Sequence, residues 1–186
     1  MILKERAERN VTLASFIKSE KFELLWIVAF SFLTFLAAQV TVPIRPVPFT
    51  LQTMLVLLSG AFLGSRKGAY SQVLYIIAGV AGLPVFAGFS FGIARLFGPT
   101  GGYLLSFPFA AYFVGYILEK KKNTFTVAFA FLTGQLLILL SGASYLALFM
   151  NGNFADALFS GAIIFSAWDL IKTVAAFSIF KSFSRK

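Results

Sequence analysis

Long apolar runs separated by short charged or proline- and glycine-rich breaks dominate the chain, and they fall at approximately 24–42, 51–63, 69–85, 103–118, 125–149 and 158–180. A helix needs about 20 apolar residues to cross a hydrocarbon layer roughly 30 Å thick, so the pattern predicts six spans and little else. The expected fold class is all-α: a polytopic membrane protein with six transmembrane helices, N- and C-termini cytoplasmic. The expected organisation is a cytoplasmic segment over 1–23, a six-helix membrane domain over 24–180 and a basic cytoplasmic tail over 181–186. Residues 1–23 mix both charge signs and suit a short helix on the cytoplasmic surface. Acidic residues interrupt this segment and the apolar run after it continues as a span, so no signal-peptide cleavage is expected.

Two breaks between runs are irregular, and both are expected on the outer side. Thr41-Val42-Pro43-Ile44-Arg45-Pro46-Val47-Pro48-Phe49-Thr50 places three prolines within six residues, which holds the backbone extended and keeps it out of either helix. Such a stiff loop suits a lid. The second break, from Gly82-Leu83-Pro84 to Gly101-Gly102, is dense in glycine yet apolar and aromatic. Unpaired backbone groups facing lipid would cost several kcal/mol each, so this segment is expected to be covered by protein or to line a cavity.

Composition agrees with the pattern: 59% of the residues are hydrophobic and 12% charged, against roughly a quarter charged in soluble domains. The net charge of +9 raises nucleic acid as a partner, but its distribution answers otherwise. With the N-terminus inside, Lys4, Arg6, Arg9, Lys18, Lys21, Arg66, Lys67, Lys120, Lys121, Lys122, Lys181, Arg185 and Lys186 all fall on the cytoplasmic side. That is 13 of the 16 basic residues, with Arg45 and Arg95 in outer segments and Lys172 inside a span, so the charge is an orientation signal in a lipid bilayer. No solvated basic face remains for nucleic acid.

Cysteine and histidine are absent, which removes disulfides, thiolate nucleophiles, Cys/His zinc sites and a serine–histidine dyad. Asp156 and Asp169 are the only acids outside the cytoplasmic segments, too few for a metal site or a carboxylate dyad. Neither an enzyme nor a cofactor or metal is expected. Gly98-Pro99-Thr100-Gly101-Gly102 lacks the lysine and hydroxyl of a nucleotide-binding loop, so any uphill transport draws its energy from an ion gradient or another chain. Ser-Gly-Ala recurs at Ser59, Ser141 and Ser160, where small residues let helices approach closely.

The sharpest local signal is Ser166-Ala167-Trp168-Asp169-Leu170-Ile171-Lys172. Two opposite charges lie near the middle of the last run, each costing about 2.5 to 3.5 kcal/mol alone on insertion scales. Their i, i+3 spacing puts both on one helical face, so they are expected to pair toward the interior, as helix glue or as a site for a polar ligand.

Pro46-Val47-Pro48-Phe49-Thr50-Leu51-Gln52-Thr53, Leu55-Val56-Leu57-Leu58-Ser59-Gly60, Gly82-Leu83-Pro84-Val85-Phe86-Ala87-Gly88, Gly98-Pro99-Thr100-Gly101-Gly102-Tyr103-Leu104-Leu105 and the Asp169, Lys172 pair together resemble the BioY family of biotin transporters. The resemblance runs in order from about Pro43 to the C-terminus. It implies an S component of an energy-coupling factor (ECF) transporter in a bacterial cytoplasmic membrane, with a vitamin site near the outer face and a coupling subunit and two ATPase subunits supplied separately. Biotin offers two ureido N–H donors, one carbonyl acceptor, an apolar thiophane ring and an anionic valerate tail. On this reading Asp169 accepts ureido N–H bonds, Gln52 or Ser90 serves as a neutral polar partner, Phe49, Phe86 and Tyr103 enclose the ring, and Arg95 or Lys172 meets the carboxylate.

One departure concerns docking. S components usually meet the coupling subunit through Ala-x-x-x-Ala on the first helix; here Thr34 and Ala38 keep a small spacing without the usual residues, and Phe35 is bulky. A solitary or homo-oligomeric biotin transporter is therefore the main variant. A small pore, in which Asp169 and Lys172 are permeation residues, is the alternative from another class. Against it, midplane polar residues are expected to be concentrated in the last span.

Overall fold

The computed structural model describes residues 22–164 and 166–184, with Ser166 described by its backbone alone. The segment over 1–21, with its basic residues and surface-helix reading, and the tail residues Arg185 and Lys186 lie outside the described residues.

Helix α1 spans Glu23–Gln39 and leads into a short antiparallel pair, β1 (Thr41–Val42) and β2 (Phe49–Thr50). Thr41 faces Thr50 and Val42 faces Phe49, so the three-proline segment is the loop of a hairpin, with a cis bond at Arg45-Pro46. The fold remains mostly helical, and this short pair is local: proline holds the segment extended, and two extended ends lying side by side pair. Helices α2 (Gln52–Leu63) and α3 (Ser65–Val80) meet at Gly64, whose φ of 85° only glycine adopts without strain. Two single turns, Ala87–Phe89 and Ile93–Arg95, occupy the glycine-rich segment. Then follow α4 (Gly101–Lys120), with Pro108 inside it, α5 (Thr124–Leu146), the short α6 (Phe154–Leu158) continued by a wide turn over Phe159–Ile163, and α7 (Ser166–Ser184).

By length and apolarity α4 and α5 each suffice to cross a membrane, and α6 with α7 makes a third candidate bent by 45°. Helices α1 and α2 are apolar but shorter. Much of the outer surface is apolar: Leu24, Phe32, Phe109, Phe125 and Leu170 are all more than half exposed. The bundle is thus organised to face lipid.

Helix α4 runs through the centre and packs on α2, α3 and α5. Its contacts are close because the facing residues are small. A β-carbon on Gly60 would strike the Ala111 carbonyl, and one on Gly115 would strike the backbone of Ser65. At the same end, Glu119 of α4 accepts bonds from the Ser65 backbone N–H (2.7 Å) and hydroxyl (3.0 Å), capping α3 with a carboxylate where the helix dipole favours it. Arg66, Lys67, Lys122 and Glu23 gather around this end, and Lys181 donates to Thr124 (2.8 Å) beside it. The hairpin, the glycine-rich segment and residues 146–150 gather at the other end, with Arg45 and Arg95.

Two expectations change here. Thr34 and Ala38 are completely buried inside the bundle, so they present no docking face; the exposed face of α1 carries Leu24, Leu25, Val28, Phe32 and Leu36 instead. The Thr34 hydroxyl joins a buried network around the Gln72 amide nitrogen, which lies within bonding distance of the hydroxyls of Thr34 (3.3 Å), Ser59 (3.1 Å) and Ser71 (3.1 Å). Buried polar residues are consequently spread over α1, α2, α3 and α5, which also carries Gln135, and are not concentrated in the last span.

Candidate functional site

The first turns of α7 set Asp169 and Lys172 on one face, 3% and 4% exposed, and the two form an ion pair. The Lys172 ammonium also donates to the Thr50 carbonyl at 3.0 Å and the Thr53 hydroxyl at 2.8 Å. An ammonium has three protons and here meets three acceptors, which offsets the cost of carrying its charge inside the bundle. Gln135 of α5 lies beside the Asp169 carboxylate, and both polar atoms of its amide are buried in no well-formed hydrogen bond.

Above the pair is a cavity of about 90 Å³. The hairpin contributes Val47, Pro48 and Thr50; α2 contributes Gln52 and Thr53; the glycine-rich segment contributes Phe86, Ala87, Ser90, Arg95 and Thr100; α4 contributes Tyr103, Leu104 and Phe107; α5 contributes Leu139. The walls are thus mainly apolar, with charge at the floor and at Arg95.

Local packing fixes these side chains. The Tyr103 ring lies where a β-carbon on Gly142 would sit, and its hydroxyl donates to the Gly161 carbonyl at 2.5 Å, next to where a Gly161 β-carbon would sit. Two of the three Ser-Gly-Ala triplets therefore cradle one cavity residue, while Gly60 of the third packs on Ala111. Phe86, 2% exposed, lies over Gly79 and meets Tyr75 edge-on at 5.6 Å. The Gln52 amide donates to the Tyr75 hydroxyl at 2.6 Å, and its oxygen accepts from Thr50 at 3.0 Å, so much of its capacity is spent inside the protein. Ser90 donates to the Ala87 carbonyl at 2.8 Å. Arg95 is exposed, has no side-chain partner among the described residues, and also borders a wider vestibule of about 910 Å³ with Arg45, Pro46 and Phe149.

Seven residues expected at the site from sequence, Asp169, Lys172, Arg95, Gln52, Phe86, Ser90 and Tyr103, line this cavity. Phe49 does not. Phe49 and Thr50 are successive residues of β2, whose side chains point to opposite faces; Thr50 lines the cavity, and Phe49 packs against the core instead. Thr53, Thr100, Val47, Phe107 and Leu139 line the cavity without having been expected there. Thr53 and Thr100 belong to the sequence motifs that carried the resemblance. Gln135 was signalled only as one amide within an apolar run.

This helical bundle has the fold of an S component. It superposes with a TM-score of 0.82 on the S-component for biotin from an ECF-type ABC transporter, known from a crystal structure at 2.1 Å, at 26% identity over 88% of this chain and 91% of that one. The probable biotin transporter BioY of Pyrococcus horikoshii is 42% identical over 154 residues, covering 83% of this chain and 91% of that protein. The biotin transporter BioY of Thermotoga maritima is 37% identical over 147 residues, covering 79% and 86%. The family model described as BioY family matches residues 10–186. The chain belongs to the BioY family, whose members are membrane transporters and not enzymes.

Proposed function

We infer that this chain takes up biotin as the substrate-binding membrane subunit of an ECF-type transporter and carries no ATPase of its own. The observation that carries the reading is the division of charge in the cavity. Lys172 spends its three protons on protein acceptors, which leaves Asp169 at the floor as the acceptor for ureido N–H groups and Arg95 at the rim as the free cation for the valerate carboxylate. Between them Val47, Phe86, Tyr103, Leu104 and Phe107 offer an apolar enclosure for the thiophane ring. Gln135, beside Asp169, is a second hydrogen-bonding group for the ureido edge once the amide turns toward it.

The partners that suit this reading are a transmembrane coupling subunit and two ATPase subunits. In the membrane, α1 to α5 provide five crossings and the bent α6–α7 pair the sixth, with both termini and the basic end in the cytoplasm. Helix α2, with 12 residues, is about 18 Å long at 1.5 Å per residue, so the hairpin above it completes that crossing inside a protein-covered layer. The seat of the protein is the cytoplasmic membrane.

Equilibrium binding of biotin to the detergent-purified chain without ATP tests the reading. Saturable, stoichiometric binding with no ATP hydrolysis is expected. A folded, monodisperse preparation that fails to bind biotin overturns it.

A further inference from the structure

Helix α1 contributes no residue to the cavity wall among the described residues, yet one side chain at its end grips that wall. The Gln39 amide nitrogen lies within bonding distance of three carbonyls, Phe86 at 3.2 Å and Val85 at 3.4 Å across the gap, and Phe35 of its own helix at 3.3 Å. Its oxygen accepts the Phe89 backbone N–H at 3.0 Å. A single amide thus holds both ends of the loop that carries Phe86, Ala87 and Ser90 to the cavity.

The loop needs holding. Phe86 and Ser90 pair across it, and between them Gly88 and Phe89 sit at φ 66° and 54°. The left-handed region is ordinary for glycine but strained for an aromatic residue. Phe89 is 62% exposed, and its ring meets Phe35 of α1 edge-on at 6.4 Å, so little packing of its own keeps it there. On the other flank the Tyr75 hydroxyl donates to the Val85 carbonyl at 3.0 Å while accepting from Gln52 at 2.6 Å. Gln52 accepts from Thr50, and the carbonyl of Thr50 accepts from Lys172. An unbroken series of hydrogen bonds therefore joins the charged floor, the hairpin and the loop, and Gln39 fastens its far end to α1.

We propose that Gln39 and Tyr75 are positioning residues that latch the 85–90 loop as the removable wall of the cavity, and that Gln39 is the link through which the position of α1 reaches the bound solute. Neither residue lines the cavity; both act through Val85, Phe86 and Phe89. The latch governs how long a solute stays more than how it enters. With two amide protons and one accepting oxygen engaged, Gln39 makes about three hydrogen bonds, most of them to the loop, and losing them accelerates solute release about tenfold or more.

The inference rests on biotin as the solute, and the test separates the two ideas. Gln39→Met keeps the length and removes every polar contact; Tyr75→Phe keeps the ring against Phe86 and removes the hydroxyl. Biotin association and dissociation rates are measured on the detergent-purified chain, with amide hydrogen exchange read along the backbone of the solute-free protein. Both variants should release biotin about tenfold faster with association changed less than about twofold. Exchange should rise within 85–92, including the Phe89 amide, while α3 and α4 keep native protection. Native dissociation rates in either folded variant overturn the latch, and so does raised exchange spread through α3 and α4, which would make these residues general packing. If the wild-type chain itself binds no biotin, the functional reading fails, and the exchange pattern alone decides the latch: unchanged exchange at 85–92 in Gln39→Met overturns it.

Discussion

Removing either charge of the buried pair should separate binding from stability. Asp169→Asn preserves size and leaves an amide oxygen facing Lys172, whose bonds to Thr50 and Thr53 at 3.0 and 2.8 Å persist. Stability should fall by about 1 to 3 kcal/mol. For biotin, one charged acceptor is lost, worth about 1.5 to 3 kcal/mol, which at 1.4 kcal/mol per decade weakens binding roughly 10- to 150-fold. Lys172→Met does the reverse. It strips the Thr50 carbonyl and the Thr53 hydroxyl of their donor and abandons the Asp169 charge, and breaking a buried pair this way costs about 3 to 5 kcal/mol. Exchanging the two residues is no rescue, because an aspartate at 172 is too short to reach, and has no proton for, the Thr50 carbonyl that the ammonium serves. The assay is thermal unfolding in detergent beside equilibrium biotin binding for both single variants. Asp169→Asn that binds within twofold of wild type, or Lys172→Met no less stable than Asp169→Asn, refutes this division of labour.

Arg95→Ala should weaken biotin about fivefold, roughly 1 kcal/mol for a half-solvated ion pair, and leave the binding of biotin methyl ester unchanged; an equal loss for both ligands contradicts a carboxylate contact. Gly60→Ala drives a β-carbon into the Ala111 carbonyl and should cost about 1 to 3 kcal/mol of stability, whereas an unaltered melting temperature would mean that α2 and α4 separate easily. Because the chain has no cysteine, single cysteines report sidedness: Ile44→Cys should react with an impermeant reagent from outside and Lys121→Cys only after the membrane is breached. Outside labelling at 121 reverses the orientation.

The ion pair was legible because both partners sit in one stretch of seven residues, and helical spacing alone brings them together. Tyr103 and Phe86 were reached through motifs in or beside irregular segments, where the sequence departs visibly from a plain span, and Arg95 through its charge in an outer segment. Phe49 lies off the cavity wall, and the sequence does not show it, because a run of prolines announces an extended backbone but not which strand face meets the cavity; that depends on the pairing of Thr41 with Thr50, nine residues apart in the chain. Thr34 shows the same limit in a helix. Small residues four apart share a face, but nothing local says whether that face meets another protein or, as here, Gln72 of a neighbouring helix. Gln135 was invisible for a related reason: its meaning comes from Asp169, on another helix.

The glycine contacts along α4 have a mechanical consequence. Gly60 against Ala111 and Gly115 against Ser65 mesh like teeth, with no layer of side chains between them to deform. Displacing one helix by a single residue, 1.5 Å along its axis, would set a β-carbon against a neighbour's backbone. The half of the bundle around α2, α3 and α4 is therefore a block, and the deformable parts are at the other end, in the hairpin and the loops above the cavity. Among the described residues, a solute held in the cavity therefore has its easiest way out past the hairpin and the loops, and parting α2, α3 and α4 is the costly route.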